Sequence, residues 1–409
     1  MPALIELQPE TRAGARLVAC AESLAPQLAA TAAEHDERGT YPHANIALLK
    51  EAGSFVAPIP EELGGQGVES MHDILVASSR LARGDPSTTL GLNMHLVVVL
   101  NMVQRWRVAC HRGDQRREAA FGRSLERIVS DGVIIAVAVS EPNQHLTMPA
   151  ARAERKGQGW LLSGRKIFAT MSPAASMLLV STSYEDATGN PLYGYAEVPA
   201  NAAGVTIHGD WDALGMRTSG SNSVTFQDVE LAESAVRGGF PVGDATGYIQ
   251  RNLANGLFHA AASVGIAEAA HETATRRLTG RSDGYVGVPE QMLTAENTVE
   301  LAALRATFDR AARLVDRFHQ AHLTEDATPD ELVAMFAEVQ AAKTFVNDTA
   351  TQIVDRAVTL SGGAAYMRTH SLARATRDVR AGAFMQPLGA IRAYDYLAQA
   401  TLSRSPTLS

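Results

Sequence analysis

The fold is decided by the stretch Val133-Ile134-Ile135-Ala136-Val137-Ala138-Val139, where the spacing of apolar residues along the chain changes. An uninterrupted run rich in β-branched residues is typical of a buried strand. Residues 14–130 before it carry apolar side chains at helical spacing, and that spacing returns from about residue 242. The sequence therefore predicts helices, then a small β domain, then helices again.

The middle of the chain contains several further runs with strand character, separated by turn residues. These runs are Trp160–Gly164, Met177–Ser181, Tyr193–Val198 and Ser223–Phe226. Their spacing predicts an antiparallel barrel or sandwich, and the long amphipathic helices that follow predict a four-helix-bundle-like domain. We expect a multidomain α+β fold, with a helical domain at 1–131, a β domain at 132–236 and a helical bundle at 237–409.

The composition argues against several functions. The 409-residue chain is 46% hydrophobic and 20% charged, which is ordinary for a globular protein. A net charge of −8 without a Lys/Arg run argues against nucleic-acid binding and against an anionic membrane surface. No apolar run approaches a membrane span and no secretory signal is evident, so we expect a cytoplasmic protein. Two cysteines, Cys20 and Cys110, suggest neither a disulfide framework nor a metal site.

Four local motifs point to a known family. They are Val137-Ala138-Val139-Ser140-Glu141-Pro142, Gly164-Arg165-Lys166-Ile167-Phe168-Ala169-Thr170, Leu214-Gly215-Met216-Arg217-Thr218-Ser219 and Leu360-Ser361-Gly362-Gly363. No Gly-x-Gly-x-x-Gly follows a strand, so any dinucleotide must bind in another way. In this order and on these elements, the motifs resemble the acyl-CoA dehydrogenase superfamily over almost the whole chain.

The resemblance implies a flavin site in the β domain. In the superfamily, the residue at Ser140 hydrogen-bonds the flavin, Phe168 lies against its ring and Thr170 lies near its N5 edge. The implied flavin contacts in this domain are therefore Ser140, Phe168, Ala169 and Thr170. The Gly-Gly loop completes the flavin site of a neighbouring subunit in the family, and here Thr359, Gly362 and Gly363 take that role. The resemblance thus also implies a homo-oligomer, either a dimer or a homotetramer.

Two departures from the family pattern bear on the cofactor. Only Arg281 matches the basic segment that holds the adenosine phosphates in the family, so FAD is expected and FMN is an alternative. The family's Gly-rich loop is replaced here by Pro142-Asn143-Gln144-His145-Leu146-Thr147. Because glycines allow a close backbone approach, their replacement predicts a reshaped pocket wall.

The catalytic glutamate of the dehydrogenases is missing. Its usual position holds Gln386, and the alternative position used by some relatives reads Asn255-Gly256. An amide cannot accept a proton at neutral pH, although removal of a substrate α-proton requires a base. The chain therefore departs from its family at the residue that defines the family's reaction.

Three functions remain open from the sequence. The first is monooxygenase-type chemistry, in which reduced flavin comes from a separate reductase and no α-base is needed. That chemistry requires a dry pocket and hydrogen-bond donors near the flavin; the candidate donors are Asn93, His95 and Ser140, and Gln386 could hydrogen-bond a substrate. The second is an acyl-CoA dehydrogenase with a relocated base, and the third is a non-catalytic homologue that binds an acyl thioester or flavin. The substrate is a small molecule or an acyl thioester in each case.

Overall fold

The N-terminal part of the protein is a layer of five α-helices. The computed structural model describes residues 5–142, 145–282, 284–402 and 408. The helices are α1 Arg12–Arg38, α2 His43–Glu51, α3 Met71–Ala82, α4 Pro86–Arg112 and α5 Gln115–Ser130. Helix α4 begins where the sequence predicts, because the Asp85 carboxylate caps the backbone N–H groups of Ser87 and Thr88.

The middle part is one eight-stranded sheet that curls around its own apolar core. Its strands are β1 Ile135–Ala138, β2 Arg152–Lys156, β3 Gly159–Ala169, β4 Met177–Glu185, β5 Pro191–Pro199, β6 Val205–Ile207, β7 Asn222–Ala232 and β8 Val236–Pro241. The order is β6-β7-β3-β2-β4-β5-β8, with β1 paired to β4. A bridge between Ser140 and Ile167 then joins the end of β1 to β3.

The sheet is less uniform than the sequence suggests. Most pairs are antiparallel, as expected, but β1 runs parallel to β4 and β2 makes one parallel pair with β4. Strand β2 was not predicted, because its residues are mostly charged and only Ala153 is buried. Strand β8 begins at Val236, the residue predicted to end the domain, and pairs with β5.

The C-terminal part is helical again. Its helices are α6 Ala245–Asn252, α7 Asn255–Thr279, α8 Val288–Ala321, α9 Pro329–Ser361, α10 Ser371–Val379 and α11 Ala390–Thr401. Helices α7, α8 and α9 share one apolar core with α1, α3 and α4 of the N-terminal part. The predicted order of helices, a small β domain and a helical bundle is thus confirmed. None of the helices within the described residues is long and apolar enough to cross a membrane.

Candidate functional site

A cleft of about 580 Å³ lies where the three parts of the chain meet. Helices α4 and α5 form one wall, strands β1, β3, β4 and β5 form another, and α6, α7 and the segment 377–386 close the third. The lining is mostly apolar but includes convergent polar groups, as is usual for small-molecule sites. This cleft is the candidate active site.

The cleft brings together only some of the residues predicted from the sequence. Those that line it are Ser140, Phe168, Thr170 and Gln386. Those that lie outside its lining are Asn93, His95, Ala169, Arg281, Thr359, Gly362 and Gly363. Ala169 is fully buried in the core of the sheet, because alternate residues of a strand point to opposite faces. Its neighbours Phe168 and Thr170 therefore face the cleft.

Phe168 supplies an aromatic surface in an unusual backbone conformation. Its φ angle is 59°, in the left-handed region that bulky residues rarely adopt. The ring is 58% exposed and packs edge-on to Trp211 at a centroid distance of 6.1 Å. Local strain of this kind clusters at ligand sites. The two rings form an apolar wall suited to a flat heterocycle.

Three hydroxyl groups form a chain beside that wall. Thr170 Oγ1 lies 2.9 Å from Ser221 Oγ, which in turn lies 2.7 Å from Ser219 Oγ. All three residues line the cleft together with Ser140. A row of hydroxyls can donate to or accept from the polar edge of a bound heterocycle. These residues therefore fit a flavin ring, with polar groups at its edge and aromatic side chains at its face.

An ion pair fixes the end of β1 beside the cleft. Lys166 Nζ lies 2.5 Å from Glu141 Oε1 and 2.9 Å from Ser181 Oγ. Both charged side chains are buried, and Glu141 also accepts hydrogen bonds from the backbone N–H groups of Ala150 and Ala151. Burial lowers the pKa of Lys166 to about 8, against the opposing effect of Glu141. Glu141 is thereby joined to the backbone at Ala150 and Ala151. In the segment that replaces the family's Gly-rich loop, Asn143 and Gln144 lie outside the described residues.

Asn93 and His95 have structural partners rather than contacts with the cleft. The Nδ1 atom of His95 accepts from the N–H of Ile135 at 3.1 Å, so Nε2 donates to the carbonyl of Phe55 at 2.9 Å. Burial lowers the pKa of His95 to about 4, which keeps the ring neutral. Asn93 is equally buried, between the Ser78 hydroxyl and the Phe258 carbonyl.

The two alternative positions of the family's glutamate converge on the same wall. Asn255, His259 and Gln386 all line the cleft. Asn255 Oδ1 and His259 Nδ1 are buried without a hydrogen-bond partner in the described part of the chain. Burial, reinforced by the charge of Lys343, lowers the pKa of His259 to about 3. This wall offers neutral polar groups.

A buried lysine supports the segment that carries Gln386. Lys343 Nζ donates to the backbone carbonyls of Met385, Gln386 and Leu388. Its side chain has no carboxylate partner within the described residues, and burial lowers its pKa to about 7. Only the ammonium form can donate to all three carbonyls. Lys343 thus holds the backbone where a dehydrogenase would present its base.

No free carboxylate faces the cleft from the described residues. The two that line it are Glu141, paired with Lys166, and Glu197, which lies 3.2 Å from Arg237. Glu268 on α7 is buried among the guanidinium groups of Arg80, Arg83 and Arg305. It lies outside the cleft lining, because α3 and α8 pack against α7. The described groups of His, Cys, Asp and Glu include no candidate metal site.

The residues predicted to act on a neighbouring flavin are placed on the outside of the chain. Gly362 and Gly363 are exposed beyond the end of α9.

Arg281, predicted to hold the adenosine phosphates, makes a bidentate ion pair with Glu290, at 2.9 and 2.5 Å. Its charge is therefore already balanced within its own chain.

Several cleft residues were not predicted from the sequence. Ser219 and Ser221 belong to the polar run Thr218-Ser219-Gly220-Ser221-Asn222-Ser223, which joins the motif ending at Ser219 to the strand predicted from Ser223, and neither was predicted as a site residue. Such a run of small hydroxyl residues between a turn and a strand was the available signal. The sequence offers no comparable signal for Lys343 or His259, because a single polar residue in a helical segment is usually a solvent-exposed residue.

Comparison with known proteins assigns the family. Residues 14–107, 136–229 and 257–386 match the N-terminal, middle and C-terminal domains of acyl-CoA dehydrogenase, respectively. The chain belongs to the acyl-CoA dehydrogenase family of flavin-dependent oxidoreductases, and this prediction is confirmed.

The similar proteins include enzymes that act on amino sugars. L-evernosamine nitrososynthase of Micromonospora sp. is 33% identical over 95% of this chain and 90% of its own length. Amino sugar nitrososynthase RubN8 of Streptomyces rubradiris is 34% identical over 96% and 90%, respectively. The crystal structure of KijD3 with FMN and dTDP-3-amino-2,3,6-trideoxy-4-keto-3-methyl-D-glucose is 32% identical, with a TM-score of 0.89 over 98% of this chain and 96% of that one. These similarities support the predicted monooxygenase-type chemistry.

Proposed function

We propose that this protein is a flavin-dependent N-oxygenase that uses reduced flavin and O₂ to oxidise the amino group of a nucleotide-linked amino sugar. One observation carries the proposal: the position of the dehydrogenase base holds Gln386, and both described carboxylates in the cleft are committed to ion pairs. Without a proton acceptor, abstraction of an α-proton has no route. Oxygen transfer to an amine needs no such base.

The choice of substrate rests on the relatives. Two of them are named for amino sugars, and a third was crystallised with a dTDP-linked amino sugar. The cleft is compatible with that chemistry because it combines an aromatic wall, neutral polar groups and arginines. A sugar linked to a nucleotide presents hydroxyls, a base and phosphates to such groups.

The flavin is held by Ser140, Thr170 and the Phe168–Trp211 wall in this proposal. FMN is favoured over FAD because Arg281, the candidate for an adenosine phosphate, is already paired with Glu290. A reduced flavin held there would supply the two electrons needed to reduce O₂, so that one oxygen atom could be transferred to the substrate nitrogen and the other released as water. The apolar lining around Leu90 and Met94 keeps bulk water away from that event.

The cleft also controls the protonation of the substrate amine. An amine must be neutral for its lone pair to accept an oxygen atom. Arginines in the lining and the nearby ammonium of Lys343 disfavour a second cation. His259, Asn255 and Gln386 are then available to accept or donate hydrogen bonds to the amino group and position it.

The decisive experiment supplies photoreduced FMN, O₂ and a dTDP-linked amino sugar to the purified protein. We expect O₂ consumption that depends on the substrate and a product heavier by one oxygen atom, which ¹⁸O₂ labels. The matched control is the same nucleotide sugar with a hydroxyl in place of the amine, which should not be oxidised. Amine-independent O₂ consumption without a labelled product would contradict the proposal.

The dehydrogenase alternative has its own test. An acyl-CoA dehydrogenase bleaches its flavin anaerobically when given an acyl-CoA, whereas an N-oxygenase does not. Bleaching by any member of an acyl-CoA panel would show that a carboxylate elsewhere acts as base. A non-catalytic homologue would give neither bleaching nor labelled product.

Assembly and electron supply are further parts of the proposal. We expect a dimer or tetramer in which the exposed segment at Gly362–Gly363 reaches a neighbouring flavin. Reduced flavin comes from a separate reductase, and the protein works in the cytoplasm, where such reductases have access to reduced nicotinamide cofactors.

A further inference from the structure

Arg105 and Arg251 line the cleft without a carboxylate partner among the described residues. Arg105 on α4 makes no hydrogen bond or ion pair with any residue that the structure describes. Arg251 at the end of α6 donates to the carbonyl of Gly238 and lies over the rings of Tyr195 and Phe240, at 4.9 and 4.7 Å. Its Nε–H is buried and has no partner among the described residues.

Both guanidinium groups line the same cleft, and the Arg105 side chain is exposed to its water. Partial desolvation, followed by the charge of Arg251, lowers the pKa of Arg105 to about 10. Two like charges in one cleft without a counter-ion are unfavourable unless an anion joins them.

The charge of the cleft runs against the charge of the protein. The chain has a net charge of −8, yet its cleft is lined by six arginines and two glutamates. The arginines are Arg105, Arg127, Arg237, Arg251, Arg377 and Arg380. A concave surface of one sign focuses its field and concentrates ions of the opposite sign.

The sheet separates Arg251 from the residues proposed to face the flavin ring. Phe168 lies at the end of β3 and Thr170 follows it, whereas Arg251 contacts β5 and β8. Strands β3 and β5 are three positions apart in the sheet order, which is roughly 14 Å along the sheet at ordinary strand spacing. Arg251 is therefore placed to bind a part of the substrate that is distant from the flavin ring.

We propose that Arg105 and Arg251 bind the diphosphate of the substrate and so anchor the nucleotide end while the amino sugar reaches the flavin. The inference rests on the proposed function and adds the subsite to it. A planar guanidinium group can bind two phosphate oxygens at once through two parallel N–H groups. Arg251 is held by its aromatic stacking and its bond to Gly238, whereas Arg105 is uncommitted and can adjust to the ligand.

The test measures binding without catalysis. Purified protein is titrated with dTDP by calorimetry, and FMN binding is measured separately by fluorescence. The variants are Arg105→Gln and Arg251→Gln, and the matched control is Arg116→Gln, which removes the same charge from an exposed position on α5 outside the cleft lining. We expect each cleft variant to weaken dTDP binding roughly 10- to 100-fold and to leave FMN binding and the melting temperature unchanged.

Three results would overturn the subsite. They are the absence of both dTDP and coenzyme A binding to the wild type at millimolar concentration, equal binding of these ligands by Arg105→Gln and the control, and a loss of FMN binding in place of diphosphate binding. Coenzyme A, which also carries a diphosphate, is titrated in parallel. Weaker CoA binding by Arg105→Gln supports the subsite and identifies a thioester as the source of the diphosphate. Diphosphate binding without N-oxygenation would remove the proposed function and leave the subsite standing.

Discussion

Lys343 Nζ lies 2.8 Å from the carbonyl oxygen of Leu388 and also donates to the carbonyls of Met385 and Gln386. A single buried ammonium group therefore satisfies the backbone on both sides of Gln386. Tyr248 adds a hydrogen bond from its hydroxyl to the carbonyl of Pro387 at 3.1 Å, whereas Phe384 is 77% exposed. The position of the Gln386 side chain depends on a residue that never reaches the cleft.

Replacing this lysine should loosen the segment. We expect Lys343→Met to leave buried carbonyls unsatisfied and to lower the free energy of unfolding by about 1–3 kcal/mol, with a fall in kcat. Urea unfolding and steady-state kinetics measure the two effects. Lys50→Met is the control, because Lys50 also donates to a carbonyl, that of Gly132, but is exposed. Equal behaviour of the two variants would contradict a positioning role.

The hydroxyl chain beside Phe168 should contribute to flavin affinity. We expect Ser221→Ala to weaken flavin binding by roughly 2- to 10-fold, because one hydrogen bond is lost. Fluorescence titration with FMN checks it. Ser163→Ala removes a hydroxyl that bonds Asp228 away from the cleft and should leave affinity unchanged. An unaltered dissociation constant for Ser221→Ala would show that the row of hydroxyl groups does not contribute to flavin binding.

The Glu141–Lys166 pair predicts an asymmetric mutational response. Glu141→Gln leaves a buried lysine without its counter-charge and should cost about 3–5 kcal/mol of unfolding free energy. The double variant Glu141→Gln/Lys166→Met removes both charges and should recover much of that loss. Denaturant unfolding of the two single variants and the double variant gives the coupling energy. Additive losses would show that the pair is not coupled.

His95 predicts a specific dependence of stability on pH. Its folded pKa, about 4, lies below the unfolded value of about 6.5. The unfolded chain therefore binds more protons between these values, so stability is full above pH 6.5 and falls as pH drops toward 4. We expect His95→Gln to reduce the slope of the unfolding free energy against pH in that window by up to about 1.4 kcal/mol per pH unit. His43→Gln, at an exposed position, should keep the wild-type slope.

Gly363 offers a test of assembly that spares the fold. A Cβ atom at this position would meet no atom of its own chain within 4 Å. We expect Gly363→Leu to fold with an unchanged melting temperature but to dissociate the oligomer and weaken flavin binding. Light scattering measures the mass. A wild-type monomer at micromolar concentration would refute the assembly, and an intact oligomer in the variant would exclude this loop from its interface.

The architecture could be predicted because it follows from local patterns. The change of apolar spacing after Gly132 predicts the boundary between helices and sheet, and the Asp85-Pro86 pair predicts the start of α4. Strand β2 could not be found, because its charged residues give no apolar alternation and its pairing with β3 holds it in place.

The site was harder to predict because its contacts are distant in sequence. The pattern around His95 shows that a polar residue is buried but not that its partners are Phe55 and Ile135. Likewise, Lys343 meets the Gln386 segment through tertiary packing alone. The motif matches selected Ser140, Phe168, Thr170 and Gln386 as site residues, and all four line the cleft. They could be selected because the local sequence identifies the strand or loop that carries each of them.

The unpaired arginines give the protein a property that purification can exploit. If these arginines bind diphosphates, the cleft should retain a nucleotide from the host cell during purification. Gentle isolation followed by heat release and mass spectrometry of the supernatant would then read out the retained nucleotide directly. Sulfate or phosphate in the buffer competes for the same arginines and would displace the retained nucleotide.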